Sequence, residues 1–234
     1  SLRPQAPSLA HPFGTDELNR DIFSRIMTGS RVSLAVGLIA VGISSSIGTI
    51  VGLISGYYGR IIDEIMMRFV DIMIAIPSIF LILILQIILE PRIETVMIVI
   101  GVTSWMGVAR LVRAEVLKIK ALPFITAAKA RGLSEFSIIT RYILPHTLQP
   151  IVVASTLGIG SAILTESILS FLGLGVQPPY PSWGNMLQNS LSYMIDAPWM
   201  TLFPGLFITI TVLAFNILGD GLQSKMIKQH YAQR

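Results

Sequence analysis

Five long runs of apolar residues constrain the fold of this chain more than any other feature. They lie at approximately residues 32–56, 69–89, 95–112, 148–172 and 201–218. A helix of about 20 apolar residues crosses the hydrocarbon core of a membrane, and each run is close to that length. Backbone N–H and C=O groups find no water in that core, so such runs fold as helices. The sequence therefore predicts an all-α, polytopic membrane helical bundle with five spans.

The composition excludes most soluble proteins and several kinds of chemistry. Hydrophobic residues make up 53% of the chain and charged residues 13%, with a mean hydropathy of +0.71. Without cysteine the chain has neither a disulfide framework nor a thiolate metal site. The ATP-binding motif G-x-x-x-x-G-K-S/T does not occur, and His11, His146 and His230 fit no H-E-x-x-H pattern. We therefore expect no catalytic, metal-binding or cofactor-binding residue here, and no enzyme activity.

The longest polar interval between two apolar runs is the stretch 115–145. Pro123 suits the first turn of a helix, Gly132 the left-handed cap that ends it, and Ser134 the N-cap of a second helix. The stretch therefore predicts a rigid helix–glycine–helix connection between the third and fourth spans. It also carries an excess of basic side chains, namely Lys118, Lys120, Lys129, Arg131 and Arg141.

Basic loops of membrane proteins stay in the cytoplasm, and this rule sets the predicted topology. The stretch 115–145 is then a cytoplasmic loop, whereas the segment 176–199, which has no Lys or Arg, lies outside with its aromatic residues. Successive spans cross the membrane in opposite directions, so residues 1–31 are predicted to form an extracytoplasmic or interfacial leader. Arg20, Arg25 and Arg31 count against that side. Residues 32–222 are the predicted transmembrane domain, and residues 223–234 a cytoplasmic tail.

Three further features concern the spans themselves. Pro77 predicts a kink inside the second span. Asp71 is predicted to cap the first turn of that span or to pair with a loop, and a transport role is the less favoured alternative. Small residues at every fourth position predict close helix–helix packing, and they include Gly48, Gly52 and Gly56 in the first span and Gly158 in the fourth.

Glu166 continues the small-residue ridge of the fourth span by one turn. A carboxylate at this depth is costly, so it faces protein or water. It is either a translocation-path or gating residue, or a carboxylate hydrogen-bonded to backbone or to a partner helix near the outer end of the span. We favour the second interpretation.

Several motifs resemble one family of transport proteins. Ala127-Ala128, three residues, Gly132, nine residues and then Tyr142-Ile143-Leu144-Pro145 resemble the EAA loop of ABC-importer permeases, with Thr126 where the family has Glu. Segments 14–34 and 166–175 are similar to the C-type permeases of the dipeptide, oligopeptide and nickel import family. Asn19 stands where that family has Gly, and Asn tolerates the left-handed turn.

The resemblance implies a MetI-like ABC permease that couples to ATPase subunits. The implied docking residues are Ala127, Ala128, Lys129, Arg131, Gly132, Leu144 and Pro145. It also implies one further span before this chain and a bacterial or archaeal inner-membrane location with a cytoplasmic C-terminus.

The implied partners are a homologous second permease, two ATPase subunits that bind ATP and Mg, an extracytoplasmic substrate-binding protein and membrane lipid, without nucleic acid. Di- or oligopeptides are the expected substrate, with nickel chelates and glutathione as alternatives. An ion-coupled secondary transporter and a structural membrane anchor remain as other classes.

Overall fold

The computed structural model describes residues 3–232, with side chains for residues 3–226. Within those residues the regular structure is helical, and the β-type pairing is a single isolated bridge between Thr15 and Asp21. The prediction of an all-α chain is thus confirmed. The α-helices are α1 Ile22–Tyr58, α2 Arg60–Ala75, α3 Ser78–Leu89, α4 Ile93–Thr103, α5 Trp105–Lys120, α6 Pro123–Ala130, α7 Glu135–Ile138, α8 Leu144–Phe171, α9 Trp183–Ser190 and α10 Trp199–Ala232.

Four helical segments of the described chain are long and apolar enough to cross a membrane. They are Ile22–Tyr58, Ile93–Lys120, Glu135–Phe171 and Trp199–Met226. The pair α2 and α3 adds a fifth span if the two helices are counted together, and they meet at an angle of 83°. The polytopic helical bundle is confirmed, with four spans or five depending on that bent pair.

Helix bounds differ from the predicted spans at both ends of the chain. α1 begins at Ile22, so the last ten residues of the predicted leader are helical. The reason is local: Asp21 accepts a hydrogen bond from the Ser24 N–H and caps the helix, while Ile22 and Ile26 are buried on one side. At the other end α10 continues through residue 232, so the predicted tail begins as helix; the side chain of His230 and residues 233–234 lie outside the described residues.

The second span is broken and not merely kinked, which corrects the prediction for Pro77. α2 ends at Ala75, Ile76 is extended, and α3 begins at Ser78 directly after the proline. The residue before a proline is driven out of the helical region, which explains the extended Ile76. The prediction that Asp71 caps a first turn is also wrong, because Asp71 lies near the end of α2.

Two compact units make up the chain. The first comprises the described residues of Ser1–Ala40, Ile82–Ile100 and Gly158–Asn216. Its core includes Ile22, Ile163 and Trp183. The N-terminal segment belongs to it: the Phe13 ring stacks on Phe203 at 4.0 Å, and the Trp199 indole N–H donates a 3.3 Å hydrogen bond to the Thr15 carbonyl.

The second unit comprises the described residues of Val41–Leu81, Gly101–Leu157 and Ile217–Arg234. Inside it α1 and α5 approach closely along a glycine ridge. A Cβ added at Gly48, Gly52 or Gly56 would lie 2.6–2.7 Å from the Cβ of Val108, Val112 or Val116, respectively. Only a residue without a side chain allows this separation, so the ridge determines the α1–α5 contact.

Candidate functional site

The connection between α5 and α8 is a helix–glycine–helix, as the sequence predicts. Pro123 is the first residue of α6. The helix ends in a Schellman motif, in which the Gly132 N–H bonds the Lys129 carbonyl at 2.9 Å and the Leu133 N–H bonds the Ala128 carbonyl at 3.3 Å. Gly132 has φ +75°, the left-handed conformation that this motif requires.

The second helix of the connection starts as predicted and then runs into α8. Ser134 caps α7 by accepting a 3.3 Å hydrogen bond from the Ser137 N–H. Residues Ile139–Ile143 form a π-helical turn, after which Leu144 opens α8. Pro145 has no N–H to donate, so a wider turn just before it accommodates the interruption of the α-helical ladder.

The two short helices have one buried and one exposed side. Ile125, Ala128 and Ile138 are buried. They belong to a core cluster with residues of α1, α5 and the start of α8, namely Leu53, Tyr57, Val112, Val116, Ile119, Ile143 and Ile151; Leu144 is half-buried against it. The connection is therefore packed onto the ends of three long helices, so that a force on α6 or α7 reaches them through contact.

The exposed side carries most of the predicted docking residues. Ala127, Lys129, Arg131, Gly132 and Pro145 are all exposed. Phe124 and Phe136 are also exposed, the latter with 75% of its surface open, although sequence reasoning did not single them out. Ala127 and Ala128 stand side by side in the EAA-like pattern, yet the first faces outward and the second faces the core.

Basic side chains of this connection fasten it to the end of α1. The Lys120 ammonium donates a hydrogen bond to the Tyr57 carbonyl, and Lys129 Nζ lies 5.4 Å from the centre of the Tyr57 ring. A cation at that distance over an aromatic ring is attracted by its π-electrons. The basic residues that indicate topology in the sequence thus also make specific contacts.

Two ion pairs join α2 to α5, and the sequence did not identify either pair of partners. Arg113 Nε lies 2.5 Å from Asp63 Oδ1, and Arg110 Nη2 lies 2.6 Å from Asp71 Oδ1. The Ser55 hydroxyl also donates to Asp63, which brings α1 into the same cluster. The only signal was opposite charge in two separate segments, and such a signal does not identify the pairs.

Glu166 is fully buried in a hydrogen-bonded cluster of the first unit. Its carboxylate accepts a 2.6 Å hydrogen bond from the Ser170 hydroxyl and a 3.3 Å bond from the Ser33 hydroxyl of α1. Such an arrangement satisfies both carboxylate oxygens within the protein. It is compatible with the second interpretation of Glu166, which stays a prediction.

The same cluster holds the segment between α8 and α9. The Val176 N–H donates to the Ser170 hydroxyl at 3.0 Å, and Asn185 Nδ2 donates to the carbonyls of Val176 and Tyr180 at 3.1 and 2.9 Å. The Trp183 indole N–H donates to the Ile26 carbonyl at 3.2 Å. Glu166 therefore lies beneath a loop that is tied to α1, α8 and α9.

The predicted packing glycines have different surroundings. Gly48, Gly52 and Gly56 lie at the α1–α5 contact described above. Gly158 of α8 is half-buried; two residues further on, at the buried Gly160, an added Cβ would lie 3.5 Å from the Val212 carbonyl of α10. An approach of α8 to α10 therefore occurs at Gly160, whereas the packing role of Gly158 stays a prediction.

Two loops of the first unit share a depression of about 370 Å³. One side is the turn containing Arg92 and Glu94, and the other is the segment from Gln177 to Tyr180. These loops consequently lie at the same end of the unit, which agrees with the alternation of spans deduced from the sequence. Within residues 3–226, no group of three His, Cys, Asp or Glu side chains could hold a metal ion.

Comparison with known proteins identifies the family. Residues 48–228 match the family described as "Binding-protein-dependent transport system inner membrane component". The chain is 48% identical over 226 residues to a dipeptide transport system permease protein of Alkalihalophilus pseudofirmus, covering 97% of this chain and 74% of that protein. It is 46% identical over 220 residues to a glutathione transport system permease protein of Escherichia coli, covering 94% and 73% of the two chains.

Solved structures share the fold. A chain of the MetNI methionine ABC transporter in an inward-facing conformation superposes with a TM-score of 0.69 at 19% identity, covering 87% of this chain and 97% of that one. An amino acid ABC transporter superposes with a TM-score of 0.63 at 16% identity, covering 87% and 94%. The chain thus belongs to the binding-protein-dependent inner membrane components, the membrane-spanning permeases of ABC importers.

Proposed function

We propose that this permease imports di- or oligopeptides and provides half of a translocation pathway shared with a second, homologous permease. The peptide assignment is supported by the relatives, of which one is a dipeptide and another a glutathione permease. Dipeptides and glutathione both contain peptide bonds, so a peptide main chain is the feature that the two substrates share. Nickel chelates are the less favoured cargo, because the described residues hold no candidate metal cluster in the spans.

The observation that carries the coupling role is the two-sided construction of α6 and α7. A docking element has to expose a surface to its partner and remain rigidly attached to the spans. Exposed Phe124, Ala127 and Phe136 meet the first requirement, and buried Ile125 and Ala128 meet the second. Movement of a docked ATPase would then shift α6 and α7 with the ends of α1, α5 and α8 as a rigid body.

The proposed orientation has α6, α7 and the C-terminus in the cytoplasm. The basic residues of the loop 115–145 support this orientation. Arg20, Arg25 and Arg31 of the leader count against this orientation, and the longer basic loop outweighs them. ATP and Mg would bind in the two partner ATPase subunits, and substrate selection would begin with an extracytoplasmic binding protein.

The test is co-purification through a tag on this chain from native membranes, followed by an ATPase assay. We expect ATP-hydrolysing subunits in the complex and stimulation by a binding protein loaded with peptide. Phe136→Asp should release the ATPase, whereas Ile195→Asp, a change at another exposed hydrophobic residue, should not.

A chain that purifies without ATPase and moves solute with an ion gradient in liposomes would contradict the proposal. If only a nickel chelate stimulates the ATPase activity, the peptide assignment is contradicted but the assignment as an importer permease stands.

A further inference from the structure

Two helix breaks of the second unit lie beside each other. The first is the extended Ile76 with Pro77, between α2 and α3. The second is Ser104, which has φ −116° and ψ 2° and separates α4 from α5. Residues of both breaks line one cavity of about 280 Å³, with the hydroxyl-bearing side chains of Ser78, Thr103 and Ser104 on its wall.

A break inside a membrane span has a specific energetic requirement. Helix ends leave main-chain N–H and C=O groups without partners in their own helix. Hydrocarbon cannot satisfy these groups, so broken helices occur where the break is buried in protein or lines a water-filled cavity. Here Ser78 and Ser104 are exposed, and a Cβ added at Gly107 would meet nothing within 4 Å. The breaks thus border open space.

A second, independent observation concerns the same two helices. Asp71 lies one turn before Ile74 of the cavity wall, and Arg110 lies one turn after Gly107. These two charged residues form the 2.6 Å ion pair between α2 and α5, and their side chains keep 54% and 49% of their surface exposed. Charges that are half open cannot face lipid tails without a large cost, so this surface faces water or protein.

We propose that the surface formed by Asp71, Ser78, Ser104, Gly107 and Arg110 lines the water-filled part of the translocation pathway. Its ligand is the peptide main chain, whose amide groups can exchange hydrogen bonds with the serine hydroxyls and the main-chain groups at the breaks. The hydroxyls are neutral and the charges of Asp71 and Arg110 are paired with each other, so the surface does not select strongly among side chains and peptides of different sequence can pass. The identity of the ligand rests on the proposed function, whereas the accessibility of the surface does not.

The absence of cysteine from the sequence makes the test direct. Single cysteines replace Ser78, Ser104 or Gly107 in the full complex in native membrane vesicles. Control cysteines replace Ile87, near the far end of α3, and Ile217 of α10, which are 68% and 70% exposed. A charged thiol reagent that does not cross membranes is applied, and an apolar maleimide is applied in parallel.

We expect the charged reagent to label positions 78, 104 and 107 at least tenfold faster than the two controls. Labelling by the charged reagent that is no faster than at the controls would overturn the proposal. If the apolar maleimide then reacts as well as at the controls, the surface faces lipid. If neither reagent reacts, the surface is covered by protein.

The ligand is tested separately by adding ATP and a binding protein loaded with a tripeptide. Slower labelling at position 104 is expected if peptide occupies the surface, and an unchanged rate would overturn the peptide contact. Failure of the proposed function appears elsewhere, in the co-purification and ATPase assay, so the two failures are distinguishable.

Discussion

The carboxylate of Glu166 and the hydroxyl of Ser170 are joined by a 2.6 Å hydrogen bond one turn apart on α8. Ser170 in turn accepts a hydrogen bond from the main chain of Val176, so the buried carboxylate is linked to the loop that follows the helix. We therefore predict that Glu166 positions the loop between α8 and α9.

We expect Glu166→Gln to be tolerated and Glu166→Leu to destabilise the protein. The amide oxygen of Gln can accept from Ser170 and its NH₂ can donate to Ser33, whereas Leu leaves buried hydroxyls without an acceptor at about 1–3 kcal/mol each. Melting temperature of the purified complex and protease cleavage in the segment 176–182 measure the effect. Loss of uptake in Glu166→Gln with normal assembly and melting would instead favour a pathway role.

Gly52→Val should lower stability, because the added side chain would overlap Val112 across the α1–α5 contact. Overpacking of this kind costs about 1–3 kcal/mol. The matched control is Gly42→Val on the same helix, where an added Cβ meets nothing within 4 Å. Thermal unfolding in the same detergent gives the melting temperature of each variant, and Gly52→Val should melt at the lower temperature. Equal melting temperatures would show that the α1–α5 contact is looser than described.

Ala127→Glu and Ala128→Glu should separate docking from folding. Ala127 is exposed, so its replacement should weaken ATPase association and leave the melting temperature of the permease unchanged. Ala128 is buried in the cluster around Tyr57, so its replacement buries a carboxylate and should lower the melting temperature. Yield, melting temperature and ATPase content of the purified complex distinguish these outcomes, and identical behaviour of the two variants would contradict the two-sided description.

The stability of the first turns of α1 should depend on acid pH through Asp21. Burial raises the pKa of the Asp21 carboxyl, but hydrogen bonds from Ser24 and the nearby His11 outweigh it and leave the pKa below its usual 3.8. Since the folded-state pKa is the lower one, the stabilisation is present above the unfolded value and is lost as the pH falls through the folded one.

Asp21→Asn tests this expectation, because Asn also caps helices and does not titrate. Limited proteolysis of the N-terminal segment between about pH 5 and pH 2 should show a steep loss of protection in the parent chain as the pH falls. The variant should lack that step. If protection falls with pH in the same way in both proteins, Asp21 is not the cause of the pH dependence.

The local structure of this chain could be predicted well from sequence. The spans, the α6–α7 connection and its Gly132 turn depend on residues that lie within a few positions of one another, and their preferences are already set in a short peptide. The left-handed Asn19, with φ 61°, was anticipated for the same reason. The two breaks were only partly predictable, because Pro77 disfavours helix in the residue before it while Ser104 has no comparable effect on its neighbours.

The sequence alone determined the membrane class, the number of apolar runs and the helix–glycine–helix shape of the connection between α5 and α8, since apolar periodicity and turn chemistry are local properties. The tertiary structure decided which residues meet. It paired Ser33 with Glu166 across 133 positions, joined Asp71 to Arg110, and turned Ala128 inward while Ala127 stayed outside. The physical reason is that helical spacing specifies the relative faces of residues, whereas the neighbour that each face contacts depends on how the helices pack.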